Sequence, residues 1–331
     1  MQTLIVKENE KGQRLDKLLS KYLNLAPKGF LYKMLRKKNI TLNGKKAAGA
    51  EMLCLNDEIR LFLSDETIAK FSGNRQVAQT SIKPDILYED KHIILFNKPE
   101  NILSQKAKDS DISMVEVLIS YLLEKGELTE ADLKSFRPSV CNRLDRNTTG
   151  ILAAGKSLVG LQALSAVFKE RSLSKYYLCL VKGEMKTEQL LDGFLCKNER
   201  TNTVTIRETP RTSEDLPIQT SYTPLAGNHE LTLLKVKLIT GRSHQIRAHL
   251  ASTGHPIIGD PKYGEAKLNQ YYGKKYQISA QLLHSYELYL PEFSGQLAYL
   301  SGKHITAPLP ASFIRVMEGE GIQWQPGTPE A

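Results

Sequence analysis

Apolar residues recur every three or four positions over residues 15–23 and again over residues 31–35. This spacing predicts two short amphipathic helices, because positions three and four apart share one helix face. Residues 40–42 and 59–63 instead alternate apolar and polar side chains, and Asn43-Gly44 follows the first of these runs, which predicts strands with a tight turn. The N-terminal part of the chain is therefore predicted to be a small helix-helix-hairpin module, residues 1–65.

The rest of the chain mixes strand-like and helix-like patterns in no regular order. Residues 66–82 are polar with weak periodicity, so we interpret them as a linker, and we interpret residues 318–331 as a flexible tail. Residues 83–317 lack the regular strand-helix alternation of a doubly wound sheet, which favours an α+β fold built on a mixed, mainly antiparallel sheet flanked by helices and loops. Strand-like runs lie at 92–97, 176–181, 203–207, 230–238 and 285–290, and helix-like runs lie at 113–125, 157–170 and 243–253.

The charge of the chain indicates a polyanionic partner. The 331 residues include 45 Lys+Arg against 36 Asp+Glu, a net charge of +9. The excess is uneven, since residues 1–65 carry 13 Lys+Arg against 7 Asp+Glu and residues 137–183 carry 8 against 2. Basic surfaces of this kind attract nucleic acid. Four cations on or just after the second predicted helix are candidates for contacting phosphates: Lys33, Arg36, Lys37 and Lys38.

Composition also excludes several classes of protein. The four cysteines are widely spaced and form no C-x-x-C pair, so we expect free thiols in a reducing compartment and neither a zinc nor a redox site. The N-terminus lacks the apolar core of a signal peptide, and no run approaches the roughly 18 apolar residues of a membrane span. We therefore expect a cytoplasmic protein that acts without a membrane partner, and we expect a monomer.

Three polar segments carry the candidate chemistry. They read NRLDRNTTG at 142–150, KYYLCLVKG at 175–183 and TGRSHQIRAHL at 240–250. In the first, Asp145 stands between Arg143 and Arg146, and nearby positive charge favours the ionised carboxylate. Such a triplet alone is most often a solvated ion-pair turn. A charged carboxylate beside guanidinium groups nevertheless suits chemistry on an anionic polymer.

Taken together and in this order, the three segments resemble the RluA family of pseudouridine synthases. The stretches ILYEDKHIILFNKP at 86–99 and HPIIGDPKYG at 255–264 extend the resemblance, which covers residues 83–317. One position departs from the family, because Asn142 stands where the first motif usually has histidine. The N-terminal module is similar to the S-four-type RNA-binding domain, on the segments RLDKLL at 14–19 and ITLNGK at 40–45.

The resemblance implies a role for each matched residue. Asp145 is the expected catalytic aspartate, acting either as a nucleophile on the base or sugar or as the group that stabilises and deprotonates the sugar. Tyr177 is expected to stack on the target base and to help in proton transfer, while its neighbour Tyr176 points to the opposite face and into the core. Arg247 is expected to pair with Asp145, and Ile246 to pack near the base.

RNA handling is expected from the residues around the aspartate. A uridine stacked in RNA must be flipped out to be reached, and Arg143 is the candidate that fills the vacated space, with Arg146 beside it on the RNA. His244, His249 and His255 are interpreted as RNA-contacting or structural, since no carboxylate or cysteine completes a metal site. The reaction needs no redox change, so no cofactor is expected. Ribosomal RNA of the large subunit is the leading substrate, ahead of transfer RNA.

Other functions are open from the residues alone. Residues 150–157, GILAAGKS, satisfy the phosphate-loop pattern, but their lead-in is polar and 151–154 look like a strand, so we treat the match as chance. A non-catalytic RNA-binding or ribosome-assembly factor would share the basic module without needing Asp145, Tyr177 and Arg247 together. A methyltransferase would need a glycine-rich cofactor loop after an early strand, which is missing from the sequence.

Overall fold

The computed structural model describes residues 1–73 and 80–325. In those ranges the chain forms a small N-terminal module and a large α+β domain. The helices are α1 (Leu15–Tyr22), α2 (Lys28–Arg36), α3 (Asp65–Phe71), α4 (Met114–Glu124), α5 (Leu158–Glu170), α6 (Gln245–Ser252), α7 (Ala266–Tyr276) and α8 (Ala311–Gly319). The strands are β1 (Gln2–Ile5), β2 (Ile40–Leu42), β3 (Lys45–Lys46), β4 (Glu58–Leu61), β5 (Ile86–Glu89), β6 (Ile93–Lys98), β7 (Ser139–Val140), β8 (Thr149–Gly155), β9 (Ser174–Lys182), β10 (Gln189–Asn198), β11 (Thr203–Arg207), β12 (Leu216–Gly227), β13 (Leu231–Leu238), β14 (Leu283–Tyr289) and β15 (His304–Thr306).

The N-terminal module contains the two predicted helices and the predicted hairpin. Its sheet has four strands in the order β1-β4-β2-β3, and α1 packs against α2 over a shared apolar core. Asn43 and Gly44 both have positive φ, 50° and 72°, as a two-residue turn between antiparallel strands requires. Strand β1 was not predicted, because its four residues are too few to show a clear alternation.

The linker prediction is wrong for its first part. Helix α3 begins where the linker was expected to begin, with the Ser64 hydroxyl accepting from the backbone N–H of Thr67 at the helix N-terminus. Ile68 is buried in the core of the module, and the ring of Phe71 lies 4.5 Å from that of Phe30. Two apolar anchors hold this short helix in place but give too little periodicity to be recognised. Residues 74–79 of the expected linker lie outside the described residues.

The large domain confirms the predicted mainly antiparallel sheet. Its long path runs β11-β10-β12-β13-β9-β14-β8-β6-β5, with β15 against β14 and β7 against β8. The pair β8–β14 is parallel and the other described strand pairs of this sheet are antiparallel. At this pair Gly150, with φ of 98°, lies directly against the Ser285 carbonyl oxygen, where a Cβ atom would collide. Strands β10 and β12 and helix α7 were not predicted.

Helices cover both faces of the sheet. On β6, Ile94 and Phe96 belong to the apolar cluster that includes α4, whereas Ile93 and Leu95 belong to the cluster that includes α5. A strand buried on both faces reads as a continuous apolar run, as residues 93–96 do. The α4 side of the sheet also carries buried residues of β9 and α6, and this is the side on which the polar segments meet.

The prediction of a flexible tail from residue 318 is wrong up to residue 325. Helix α8 ends at Gly319, and beyond it Ile322 is buried while the Trp324 ring packs edge-on against Tyr286 at 5.7 Å. These apolar contacts fix the segment on the large domain. Residues 326–331 lie outside the described residues. Within the described ranges, no helix is both long and apolar enough to span a membrane.

Candidate active site

A cavity of about 840 Å³ brings the three polar segments together. Its walls come from the loop between β7 and β8, from β9, and from the turn that leads into α6. Concave sites of this size commonly bind small ligands or single groups of larger ones. The expected site residues that line it are Arg143, Asp145, Arg146, Tyr177, Ile246 and Arg247.

Asp145, Arg247 and Asp260 form a buried ion cluster beside the cavity. Nη1 of Arg247 donates to Oδ2 of Asp145 at 2.7 Å. The same guanidinium forks onto Asp260, with Nε donating to Oδ2 at 2.7 Å and Nη2 to Oδ1 at 2.8 Å. Asp260 is fully buried and also accepts from the backbone N–H groups of Lys262 and Tyr263. A bidentate pair of this kind fixes the plane of the guanidinium.

The members of the cluster stabilise one another's charge. Burial alone would lower the pKa of Arg247, but the hydrogen bonds and charge of Asp260, followed by the charge of Asp145, hold that pKa above its ordinary value. Burial would likewise raise the pKa of Asp260, yet the Arg247 hydrogen bonds and charge bring it below its ordinary value. Arg247 and Asp260 are therefore both charged at neutral pH.

The arginines that flank Asp145 do not hold it, contrary to the sequence prediction. Arg143 and Arg146 are exposed, and within the described ranges the ion-pair partners of Asp145 are Arg247 and, at 3.9 Å, His244. The reason is the shape of the loop, which buries Leu144 in the core and thereby turns its neighbours outward. Both arginines line the mouth of the cavity instead.

Lys98 is a charged residue of this region that the sequence analysis missed. It ends β6, has no exposed surface, and its Nζ donates to the carbonyl oxygens of Pro99 and Arg146, each at 2.8 Å. Burial lowers the pKa of Lys98 to about 7, although the charge of Asp145 opposes this. Lys98 thus ties the loop that carries Asp145 to the sheet. The Asn-Lys-Pro segment at 97–99 was the available signal.

Tyr177 lies on β9 with 6% of its surface exposed and faces the cavity. Burial raises the pKa of Tyr177 to about 12, and the nearby charge of Asp145 acts in the same direction, while a hydrogen bond with Ser285 opposes it. The phenol is therefore protonated at neutral pH. The Tyr177 side chain can therefore act as a hydrogen-bond donor and as an apolar wall, but not readily as a base.

His244 and Tyr263 support the cluster from the other side. His244 begins α6 in a left-handed conformation with φ of 57°, and its Nδ1 shares a hydrogen bond with the Tyr263 hydroxyl at 2.8 Å. The Tyr263 ring lies 5.2 Å from the Arg247 guanidinium carbon, a cation–π contact. Burial lowers the pKa of His244, so the imidazole is neutral at pH 7 and leaves Arg247 as the cation that pairs with Asp145.

Asn142, the departure from the family pattern, has a structural partner. Its Oδ1 accepts from the backbone N–H of Ala153 at 2.8 Å, and its Nδ2 donates to the Ile151 carbonyl at 3.4 Å. The side chain therefore continues the pairing of β7 with β8 by one residue and fixes the start of the Asp145 loop. An amide can make both bonds at once because it carries a donor and an acceptor.

Ile246 lines the cavity, whereas Tyr176 lies on the other face of the sheet. Ile246 is buried. Tyr176 does lie on the face opposite Tyr177, but the prediction that it is core is wrong. It is half-buried, with Nζ of Lys235 4.8 Å and Nζ of Lys237 5.9 Å from its ring centre. Lysine side chains cover that face of β9 at Tyr176, whereas Leu178 and Leu180 on the same face are buried in an apolar cluster.

The remaining candidates are accounted for by their surroundings. The phosphate-loop match is excluded, because residues 149–155 form β8 and Lys156 is buried in ion pairs with Glu89 and Glu127. His249 shares a hydrogen bond with Thr220, and His255 shares one with the Lys182 carbonyl oxygen. The structure groups no set of potential metal ligands in the described part of the chain. The four cations of the N-terminal stripe, Lys33, Arg36, Lys37 and Lys38, are all exposed.

Known proteins are similar to this chain in sequence and in fold. Residues 92–252 match the family described as RNA pseudouridylate synthase. The ribosomal large subunit pseudouridine synthase C of Vibrio parahaemolyticus is 30% identical over 280 residues, which cover 83% of this chain and 84% of that one. An uncharacterized RNA pseudouridine synthase of Mycoplasma genitalium is 31% identical over 294 residues, covering 87% and 88% of the two chains.

The fold has a solved counterpart as well. Human RNA Pseudouridylate Synthase Domain Containing 4 superposes with a TM-score of 0.59 at 22% identity, over 72% of this chain and 94% of that chain. This likeness concerns the fold, whereas the sequence relatives establish the family. The chain belongs to the RluA family of RNA pseudouridine synthases, isomerases that act on RNA.

Proposed function

We propose that this enzyme isomerises uridines of large-subunit ribosomal RNA and that Asp145 is its catalytic aspartate. The assignment of Asp145 rests on the different contacts of its two carboxylate oxygens. Oδ2 of Asp145 is held by Arg247, whereas Oδ1 forms no hydrogen bond among the described residues and lies 3.9 Å from Nε2 of His244. One oxygen orients the group, and the other is available to a substrate in the cavity.

The surroundings of Asp145 fit the steps of the reaction. The bond from the sugar to N1 of uracil breaks, the base rotates, and a new bond forms from the sugar to C5, whose proton leaves to water while N1 takes up a proton from water. Tyr177 and Ile246 supply apolar walls for the base, and the Tyr177 hydroxyl, protonated at neutral pH, is a donor to it. Arg247, which is almost fully buried, holds the carboxylate in place through its hydrogen bond to Oδ2.

Access to this carboxylate requires that the uridine leave the RNA stack, which costs a few kcal/mol. Arg143 and Arg146 are exposed at the mouth of the cavity and are the side chains proposed to contact the RNA there, with Arg143 filling the space of the flipped base. The substrate class rests on the relatives, whose names refer to the ribosomal large subunit.

The N-terminal module is proposed to be an S-four-type RNA-binding domain that delivers this RNA. Its two helices and hairpin sheet have the expected order, and the exposed stripe of Lys33, Arg36, Lys37 and Lys38 lies on the end of α2 and just after it. Polar contacts dock the module on the large domain. Lys7 pairs with Asp132 at 2.9 Å, Asn9 Oδ1 accepts from the backbone N–H of Leu158 at 3.2 Å, and Glu10 Oε1 accepts from the Ser135 hydroxyl at 2.5 Å.

The test is release of tritium from C5 of uridine in labelled large-subunit ribosomal RNA. We compare the wild type with Asp145→Asn and with Asp109→Asn, which makes the same chemical change at an exposed site. We expect release by the wild type and by Asp109→Asn, and none by Asp145→Asn. Tritium release by Asp145→Asn would show that Asp145 is not the catalytic aspartate. Release from transfer RNA but not from ribosomal RNA would overturn the substrate.

A further inference from the structure

Three cations in the cavity wall have no ion-pair partner among the residues that the structure describes. We call Arg171, Lys175 and Arg242 the cationic wall, and all three line the cavity that holds Asp145. Lys175 is half-buried on β9, two residues before Tyr177. Its Nζ forms neither a hydrogen bond nor an ion pair with the described residues, and its nearest aromatic ring is that of Phe168, at 6.0 Å.

The surroundings of Lys175 are unfavourable to a cation. Burial lowers the pKa of Lys175, the charge of Arg171 lowers it further, and no carboxylate opposes them. A partly desolvated ammonium group next to a guanidinium is costly unless a negative charge comes close. Because the described protein supplies none, the charge must come from a ligand.

Arg242 lines the same cavity, on a turn whose backbone lies against Lys175. A Cβ atom on Gly241 would stand only 3.3 Å from Nζ of Lys175, so the ammonium group lies against the backbone of the turn that carries Arg242. Nε of Arg242 is buried and has no hydrogen-bond partner among the described residues. The guanidinium thus has at least one donor left for a ligand.

Arg171 completes the set from the end of α5. It caps that helix in a left-handed conformation with φ of 57°, a position that glycine adopts more readily. The side chain is exposed at the edge of the cavity. An arginine in a place that favours glycine is consistent with selection for its charge.

We propose that the cationic wall is a phosphate site that holds the RNA backbone next to the flipped uridine. The inference rests on the proposed function, since it takes the cavity beside Asp145 as the place of the flipped base. A phosphodiester supplies the single negative charge and the several acceptor oxygens that Lys175 and Arg242 lack. It would anchor the nucleotide by its backbone while Asp145 acts on the sugar and base.

Salt dependence of RNA binding tests this site. We compare full-length wild type, Lys175→Gln, Lys175→Arg and Lys182→Gln, measuring the Kd for large-subunit ribosomal RNA over roughly 50 to 300 mM salt. Lys182 is the matched control, because it lies on the same strand and its Nζ is already paired with Glu265. We expect Lys175→Gln to weaken binding by roughly five- to tenfold and to reduce the slope of log K against log salt by about 1. Lys175→Arg retains the charge and should retain the slope, and Lys182→Gln should match the wild type.

Ethylation of single phosphates in the same RNA locates the contact. Ethylation removes the charge of one phosphate, and with wild type and Lys182→Gln it should interfere with binding at a phosphate adjacent to the modified uridine. That signal should be missing with Lys175→Gln. Arg242→Gln provides a second variant in case Lys175→Gln does not fold. An unchanged slope together with an unchanged interference pattern, in folded Lys175→Gln and Arg242→Gln, would overturn the phosphate site.

The two proposals fail differently in these experiments. If the wild type releases tritium while Lys175→Gln keeps the wild-type slope and interference pattern, the phosphate site is wrong and the proposed function stands. If the wild type releases tritium from transfer RNA but not from ribosomal RNA, and interference next to the uridine modified there is missing with Lys175→Gln, the substrate assignment is wrong and the phosphate site stands.

Discussion

The buried ion cluster and the cationic wall line one cavity but differ in how their positive charges are paired. Arg247 is 4% exposed and contacts two carboxylates, Asp145 and Asp260. Arg242 and Lys175 are more exposed, and among the described residues they contact no carboxylate. Charge that is balanced inside the protein is fixed before RNA arrives and serves chemistry. Charge that is left unbalanced is available to the RNA and serves binding.

Removing the cation of the ion cluster gives the largest expected effect. Arg247→Met leaves the charge of Asp260 buried without a counter-charge, and breaking a buried ion pair in this way costs about 3–5 kcal/mol of stability. We also expect no tritium release, because Asp145 loses the bond that orients it. Urea unfolding measures the stability, with Arg171→Met as the exposed control, which should change it by less than about 1 kcal/mol. Equal unfolding free energies for the two variants would contradict the comparison.

Neutralising the second carboxylate separates orientation from binding. Asp260→Asn keeps the size of the side chain but loses the charge that fixes Arg247, and a small misplacement of a reacting group lowers kcat by roughly a hundredfold. Because Asp260 is fully buried, the Kd for RNA should stay at the wild-type value. Single-turnover tritium release gives the rate and filter binding gives the Kd. Equal losses in both would show that Asp260 only stabilises the fold.

The same variant changes the response to acid. The pKa of Asp260 is lower in the folded protein than its ordinary 3.8, so this carboxylate stabilises the fold above pH 3.8 and the stabilisation is lost as pH falls through the folded value. The difference in unfolding free energy between wild type and Asp260→Asn should therefore shrink as pH falls below about 4. A difference that is constant with pH would contradict the ionised state of Asp260.

Lys98 lies beside the cluster, but its Nζ donates to carbonyl oxygens and not to carboxylates. Its folded pKa of about 7 is below the ordinary 10.5, so between these values the unfolded chain holds a proton that the folded protein has released. Stability contributed by Lys98 therefore rises with pH over this window. Relative to Lys98→Met, the wild type should gain about 3–4 kcal/mol between pH 7 and pH 10. Parallel stability profiles for the two proteins would show that the lysine is charged when buried.

Sequence patterns predicted local elements well and long-range partners poorly. The helix-like run at 157–170 differs from α5 by one residue at its start, because both its periodicity and the Ser157 cap are local. Helix α7 was missed, since Tyr272 is its buried residue and no apolar stripe results. The strand run at 203–207 agrees with β11, whereas its partner β10 was missed.

The ion cluster shows the same limit within the site. The sequence analysis paired Asp145 with the two adjacent arginines, and only the family resemblance pointed to Arg247, which is 102 residues away. Asp260 lies in a segment that was quoted for the resemblance but was given no role. A buried aspartate cannot be told from one in a surface turn by composition alone, because its partner is brought to it by the fold.

The N-terminal stripe extends the comparison to an exposed surface of the small module, and its effect should be the smallest. Arg36 and Lys37 are exposed at the end of α2, so Arg36→Gln combined with Lys37→Gln removes only screened contacts with phosphates. We expect a two- to fivefold weaker Kd for RNA, at roughly 0.1 M salt, with kcat unchanged. The control combines Lys83→Gln with Lys275→Gln, which removes the same charge from two lysines already paired with glutamates. If the control weakens RNA binding equally, net charge alone attracts the RNA. A loss confined to the α2 variant indicates that the stripe contacts RNA directly, as unbalanced charge on the cavity wall is proposed to do.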